Sequence, residues 1–235
     1  MNENIKKLWH RIKRIPVIGI PYNRLIGNRK VQYIYKDQTK EIKENGLHYL
    51  RTINDVLENT PAVYYAYAGT LLGIVRDNRL IKWDLDIDYA VVIDQKFGWE
   101  DLEQAMHEKG FKKVREFVFR GKVTEQTYQI DKMKIDFFGQ FYRDDYMIQY
   151  SYERIESQNY ADENQLSVYL VTLPRVNRTK RISVDGIAVP VPDNAEDILK
   201  CIYNEDWRIP NPNWKSNSGK CSKLLPNEYG YQSIK

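Results

Sequence analysis

Three aspartates carry most of the chemistry in this sequence. In Trp83-Asp84-Leu85-Asp86-Ile87-Asp88 they alternate with apolar residues. On a β-strand that alternation turns all three carboxylates to one face and Leu85 and Ile87 to the other. Like charges about 7 Å apart along one face repel and cost stability. The cluster therefore needs a compensating cation, and its hard oxygen donors suit Mg²⁺, Mn²⁺ or Ca²⁺. An EF-hand calcium loop would use Asp84, Asp86 and Asp88 as its first, third and fifth residues. It fails further on, because Tyr89 stands where that loop needs Gly and Gln95 where it needs Glu.

Upstream, Gly69-Thr70 separates an apolar stretch from a short helical one, a place where backbone N–H groups can hold an anion. Arg76, about two turns on, supplies a cation for phosphate or a salt-bridge partner for the aspartates. Asp136 lies in Lys134-Ile135-Asp136-Phe137-Phe138, again polar between apolar neighbours on an expected strand. A lone aspartate in such a place is ordinarily a solvent-facing residue, whereas three alternating ones joined to a Gly-Thr turn are hard to explain as surface. Trp83 reads as a packing residue. Carboxylates that hold a divalent ion, an ion that bridges a phosphate, and a turn that supplies further donors are equipment for phosphoryl transfer.

The elements that must position these groups follow from periodicity. Ile42, Leu47, Leu50, Ile53 and Leu57 mark an amphipathic helix from Asp37 to Glu58, with Gly46 as the residue that argues against it. Ala62–Ala68 reads as a buried strand, Leu71–Arg76 as a short helix, Asp86–Ile93 as a strand, and Trp99–Lys109 as a helix stopped by Gly110. Strands are expected over Phe111–Phe119, Val123–Ile130, Met133–Phe138, Tyr146–Tyr152 and Leu166–Leu173, then a hairpin over Arg181–Val191. A helix from Asp193 to about Tyr203 precedes a tail rich in Pro, Asn, Gly and Ser over 211–235. Helix–strand–helix–strand followed by a meander predicts an α+β domain with a mixed sheet.

Composition sets the bounds. At 235 residues, 42% hydrophobic and 29% charged, the chain buries a core and is not disordered. No stretch approaches the roughly 18 apolar residues of a membrane span, and the N-terminus lacks the apolar core of a signal peptide. Two cysteines, Cys201 and Cys221, make neither a disulfide framework nor a paired metal site, which predicts free thiols in a reduced, cytoplasmic protein. The net charge of +4 conceals an asymmetry: residues 1–30 hold eight Lys and Arg against one Glu. That distribution excludes a broad basic face for nucleic acid. Ile5, Leu8, Trp9, Ile12 and Ile15 form one helical face there, opposite the charges. The segment is either a membrane-surface helix or a terminal helix packed on the domain.

At the residues described above the sequence resembles the LicD/fukutin-related family of the nucleotidyltransferase superfold. The match rests on Tyr67-Ala68-Gly69-Thr70-Leu71-Leu72-Gly73-Ile74-Val75-Arg76, on Trp83 through Asp88, and on Ile135-Asp136-Phe137-Phe138. It continues at Val189-Pro190-Val191-Pro192 and at Ile198-Leu199-Lys200 with Tyr203 and Trp207. Lys82, Leu85 and Asn204-Glu205-Asp206, which follow Tyr203 where the family usually has Gly, depart from the family's pattern.

The resemblance implies a nucleotidyltransferase-like mixed sheet flanked by helices, in a catalytic domain over residues 31–210. It implies Mg²⁺ (or Mn²⁺) on Asp86, Asp88 and Asp136, donor phosphates at Gly69, Thr70 and Arg76, and Asp136 or Asp84 as the base. The implied reaction moves a substituted phosphate, of the phosphocholine or alditol phosphate class, from a CDP-linked donor to a hydroxyl of a cell-surface glycan. CMP is released. A lipid-linked acceptor would place the protein at the inner face of the membrane, held by residues 1–30. The rival readings are transfer of an NMP to a small molecule or protein, and a non-catalytic glycan-binding module.

Overall fold

The computed structural model describes residues 29–211 and 213–234, with side chains from residue 37 onward. The expected basic helix at the N-terminus lies outside the described residues. Helix α1 (Arg29–Leu57) starts eight residues before the amphipathic pattern. Its buried residues Ile42, Tyr49, Leu50, Ile53, Val56 and Leu57 recur at helical spacing and form one side of the main core. Gly46 lies inside the helix without breaking it.

Strand β1 (Tyr64–Ala66) is only three residues long and leads directly into α2 (Ala68–Asp77), so Gly69 and Thr70 form the first turn of a helix rather than a loop before one. Strand β2 (Asp86–Val92) follows, then α3 (Trp99–Glu108). The meander is β3 (Lys112–Phe119), β4 (Lys122–Ile130), β5 (Met133–Tyr142), β6 (Tyr146–Glu153) and β7 (Gln165–Pro174). A separate hairpin, β8 (Thr179–Val184) and β9 (Ile187–Pro192), precedes α4 (Ala195–Tyr203) and β10 (Ser222–Ile234). The predicted α+β class with a mixed sheet is what the structure shows.

The main sheet has eight strands in the order β1-β2-β5-β4-β3-β10-β7-β6. Strands β2 and β5 run parallel, while the other pairings in this sheet are antiparallel. Strand β5 pairs with β4 over Met133–Phe138 and then with β6 over Gln140–Tyr142. The run β5-β4-β3-β10-β7-β6 therefore returns to β5 and closes. Phe117 of β3 stacks on Tyr152 of β6 at 4.8 Å although those strands are not neighbours. With Phe119, Leu166 and Val168 they fill the space the ring encloses.

Two expectations are corrected here. Residues 222–234 are a strand inside the ring, paired with β3 on one side and β7 on the other, not part of a tail. Their composition misled because Pro226, Asn227 and Gly230 serve the strand's irregular pairing and its packing against a distant ring. The pairing with β7 is interrupted between Leu224 and Tyr229, around Pro226 and a left-handed Asn227. A Cβ on Gly230 would lie 2.3 Å from Tyr152 Cε1, so only glycine lets that ring close over the strand. Second, Cys201 and Cys221 form a disulfide, with Cα atoms 5.2 Å apart, joining α4 to the residue that precedes β10. A sequence separation of 20 hid their proximity, and the pairing removes the argument from free thiols for a reducing compartment.

Candidate metal centre and active site

Asp88 and Asp136 face each other across the parallel pair β2–β5, in direct register, and Asp86 is one alternation upstream on β2. One carboxylate oxygen from each of the three lies within 4.8 Å of the others. The apolar residues between them, Ile87 and Ile135, are fully buried on the opposite face. The alternation thus does what the sequence pattern predicts for Asp86, Asp88 and Asp136. Asp84 differs: it sits in the turn before β2, where its N–H donates to Ile81 O. It precedes the strand and stands outside the group of three, although its Oδ2 and that of Asp88 both approach Gly69.

The α2 N-terminus fixes Asp88 from three sides. Gly69 N–H donates to Asp88 Oδ2 (3.0 Å), the Asp88 N–H donates to Thr70 Oγ1 (2.9 Å), and Tyr67 N–H donates to the Asp88 carbonyl (3.0 Å). A Cβ on Gly69 would come within 2.6 Å of Asp84 Oδ2 and 3.3 Å of Asp88 Oδ2, so glycine permits the approach of both carboxylates. The residue before it, Ala68, is held at φ 41°, a left-handed conformation that costs an alanine roughly 1 kcal/mol or more. Gly69 and Thr70, expected to meet a donor phosphate, are thus turned toward Asp88. Arg76 pairs with Asp77, the next residue (3.0 Å), and not with the aspartates.

Burial and mutual repulsion dominate the electrostatics. Desolvation first, then Asp136 and Asp84, push the Asp86 carboxyl up to about 8. Desolvation and then Asp86, Asp84 and Asp136 hold Asp88 well above the usual carboxylate range, against the opposing Gly69 hydrogen bond. Burial lifts Asp84 to about 6. Carboxyls crowded and desolvated in this way are short of positive charge, and three oxygen donors within one small volume match what a hard divalent cation requires. Asp86, Asp88 and Asp136 fit such an ion.

Sequence reasoning missed Arg115. From β3, across β4, its guanidinium reaches Asp136 Oδ1 at 3.2 Å and Oδ2 at 3.4 Å, while its Nε donates to Thr127 Oγ1 at 3.0 Å. Glu125 Oε1 lies 3.9 Å from the same guanidinium. Burial, then Asp136, raise the Glu125 carboxyl to about 8 against the pull of Arg115. The available signal was the polar run Thr124-Glu125-Gln126-Thr127 in the middle of a strand, all four of which are buried. The phenol of Tyr203 at the end of α4 also belongs to the surroundings: burial and then Asp88 and Asp84 push it well above its ordinary value. Trp83, expected to pack, is 66% exposed beside Asp84.

Comparison with known proteins adds a family. No curated protein matches the chain. Among solved structures, a Thermotoga maritima protein described as a nucleotidyltransferase matches with a TM-score of 0.39 at 19% identity, covering 65% of this chain and 80% of that one. A poly(U) polymerase with MgGTP bound matches with a TM-score of 0.27 at 16% identity, covering 46% of this chain and 36% of the polymerase. The nucleotidyltransferase-domain model of LicD/FKTN/FKRP matches residues 62–194, which span β1 through the N-cap of α4 and contain the aspartate triad, the Gly-Thr turn and Arg115. By that match the chain belongs to the LicD/FKTN/FKRP nucleotidyltransferase-domain family, a family of phosphotransferase and nucleotidyltransferase-type enzymes.

Proposed function

We propose that the protein transfers a substituted phosphate, of the phosphocholine or alditol phosphate class, from a CDP-activated donor to a hydroxyl of a cell-surface glycan. The observation that carries this reading is the triad: Asp86, Asp88 and Asp136 bring three carboxylate oxygens within 4.8 Å on one face. Mg²⁺ or Mn²⁺ held there would neutralise charge on the donor diphosphate. Gly69 and Thr70 keep Asp88 aimed, and the α2 N-terminus that carries them would lie near the bound phosphates. Arg76, paired with Asp77 in this structure, would supply a further cation for the donor phosphates.

Asp84 is the better of the two candidate bases. It is not one of the three grouped ligands, and its carboxyl, lifted to about 6, suits proton transfer near neutrality. Asp136 is held by Arg115 and shares the metal group. In the proposed step Asp84 takes the acceptor hydroxyl proton as the oxygen–phosphorus bond forms. The phosphorus–oxygen bond to CMP breaks, and CMP leaves with that oxygen.

The test incubates the full chain with a panel of CDP-alcohols, Mg²⁺ and a glycan acceptor. CMP release that depends on acceptor supports the reading. Pyrophosphate release from a nucleoside triphosphate, with CDP-alcohols inert, replaces it with nucleotide transfer. Neither product, with no calorimetric Mn²⁺ binding, would leave a glycan-binding module.

A further inference from the structure

Arg115 occupies an unusual place for a cation. Its guanidinium contacts both oxygens of Asp136, one of the three carboxylates grouped for metal, and its Nε is fixed by Thr127 Oγ1. The ring of Phe117 lies under it at 4.9 Å, which restricts its movement from a third side. Glu125 Oε1 stands 3.9 Å away as a second acidic neighbour. The side chain is 24% exposed. A positive charge so placed does two opposite things. It holds the Asp136 carboxylate in one orientation, and it repels any second cation that the same carboxylate receives.

We infer that Arg115 is a positioning residue that fixes Asp136 for turnover and, by its charge, keeps the divalent ion more loosely bound than the three aspartates alone would hold it. The inference rests on the metal-site reading given above. It separates from an ordinary structural role by sign: losing a mere packing residue weakens metal binding and turnover together, whereas losing Arg115 strengthens the first and weakens the second.

The experiment measures Mn²⁺ binding to the full chain by calorimetry, without donor or acceptor, alongside CMP-release kinetics and thermal melting. Arg115→Gln removes the charge and is expected to bind Mn²⁺ about tenfold tighter. Its kcat is expected to fall at least about tenfold, with KM for the donor little changed. Arg115→Lys keeps the charge without the forked geometry, so it should bind Mn²⁺ like the wild type and recover part of kcat. Mn²⁺ binding by Arg115→Gln that is unchanged or weaker overturns the inference, as does an unchanged kcat. If Arg115→Gln does not fold, Arg115→Lys decides: wild-type Mn²⁺ affinity with reduced kcat supports the role, and wild-type kcat overturns it. Asp88→Asn is the control for the underlying reading. If it binds Mn²⁺ as tightly as the wild type, the metal site itself is wrong, whatever Arg115 does.

Discussion

Asp88 and Asp136 are partners in parallel register on β2 and β5, yet their carboxylates reach the same small volume from opposite supports. Asp88 is held by the Gly69 N–H of a helix start, and Asp136 by the Arg115 guanidinium two strands away. One carboxylate is anchored by a dipole and the other by a full charge, and their substitutions should behave accordingly.

Asp86→Asn and Asp88→Asn are each expected to abolish transfer while the fold persists. Removing one of three crowded, desolvated carboxylates relieves repulsion. The metal-free melting temperature should therefore hold or rise. Asp136→Ala should lower turnover at least about 10²-fold and, by leaving Arg115 without its nearest acidic partner, should also lower the melting temperature. Near wild-type turnover from either β2 variant in Mg²⁺ contradicts the site.

The pH dependence of stability follows from the same groups. Asp86 and Glu125 both sit near 8 in the folded chain, and Asp84 near 6, against ordinary values around 4. The folded state thus binds more protons than the unfolded one between about pH 4 and pH 8, and stability falls as pH rises through that window. Metal-free protein should melt at a higher temperature at pH 5 than at pH 8. Mg²⁺ should raise the melting temperature more at pH 8, where the carboxylates are ionised. Melting curves with and without chelator at the two pH values check both signs, and a metal-free protein more stable at pH 8 refutes them.

Gly69→Ala tests the close approach at the α2 start. The new methyl would press on the mobile end of Asp84 and, more gently, on Asp88. Asp84 can swing aside, so melting should change little. Turnover should nevertheless drop by about tenfold or more, since small misplacements of reacting groups are costly. Unchanged kinetics would show that Asp84 has no part in the reaction.

Reduction of Cys201–Cys221 should be visible in stability. A disulfide closing a loop of this length contributes about 3 kcal/mol by restricting the unfolded chain. For a chain of this size, Cys221→Ser or added reductant should lower the melting temperature by about 6–12 °C. Intact-mass measurement under non-reducing conditions, with alkylation, establishes the bond directly; two alkylated thiols in the native protein would contradict it.

Residues 1–30 yield a prediction of their own. Each Lys or Arg near an anionic surface contributes about 1 kcal/mol, and the effect fades within a Debye length. The full chain is expected to co-sediment with anionic liposomes at low salt and to be released at high salt. A chain lacking residues 1–20 should lose that binding and still release CMP with a soluble acceptor. Equal sedimentation of both forms would make the segment a packing element. No helix among the described residues is long and apolar enough to cross a membrane.

What the sequence disclosed divides along a physical line. Asp86, Asp88 and Asp136 were legible because alternation on a strand is a local rule, and their buried neighbours obey it. The element pattern from α1 to α4 was legible for the same reason. Arg115 was not, since its meaning depends on the β3–β4–β5 register that sets Arg115 beside Thr127 and Thr127 beside Asp136. Asp84 stands just before β2, a boundary that an alternating pattern does not show. Ser222–Ile234 misled because Gly230 and Pro226 answer to the Tyr152 ring and to an irregular stretch of pairing, neither of which is local in sequence.

The place of β10 has a consequence for how the chain acquires its shape. Strand β3, which carries Arg115, pairs with β4 as soon as the two are made, but its other edge is met by Tyr231–Ile234, about half the chain later. Pairings across so long a loop are entropically late and slow. During synthesis the β3 edge waits exposed until β10 emerges and threads between β3 and β7. Refolding should show a slow final phase reported by protection of β3 amides. The nascent chain is at greatest risk of edge-to-edge association in that interval, before its last strand arrives.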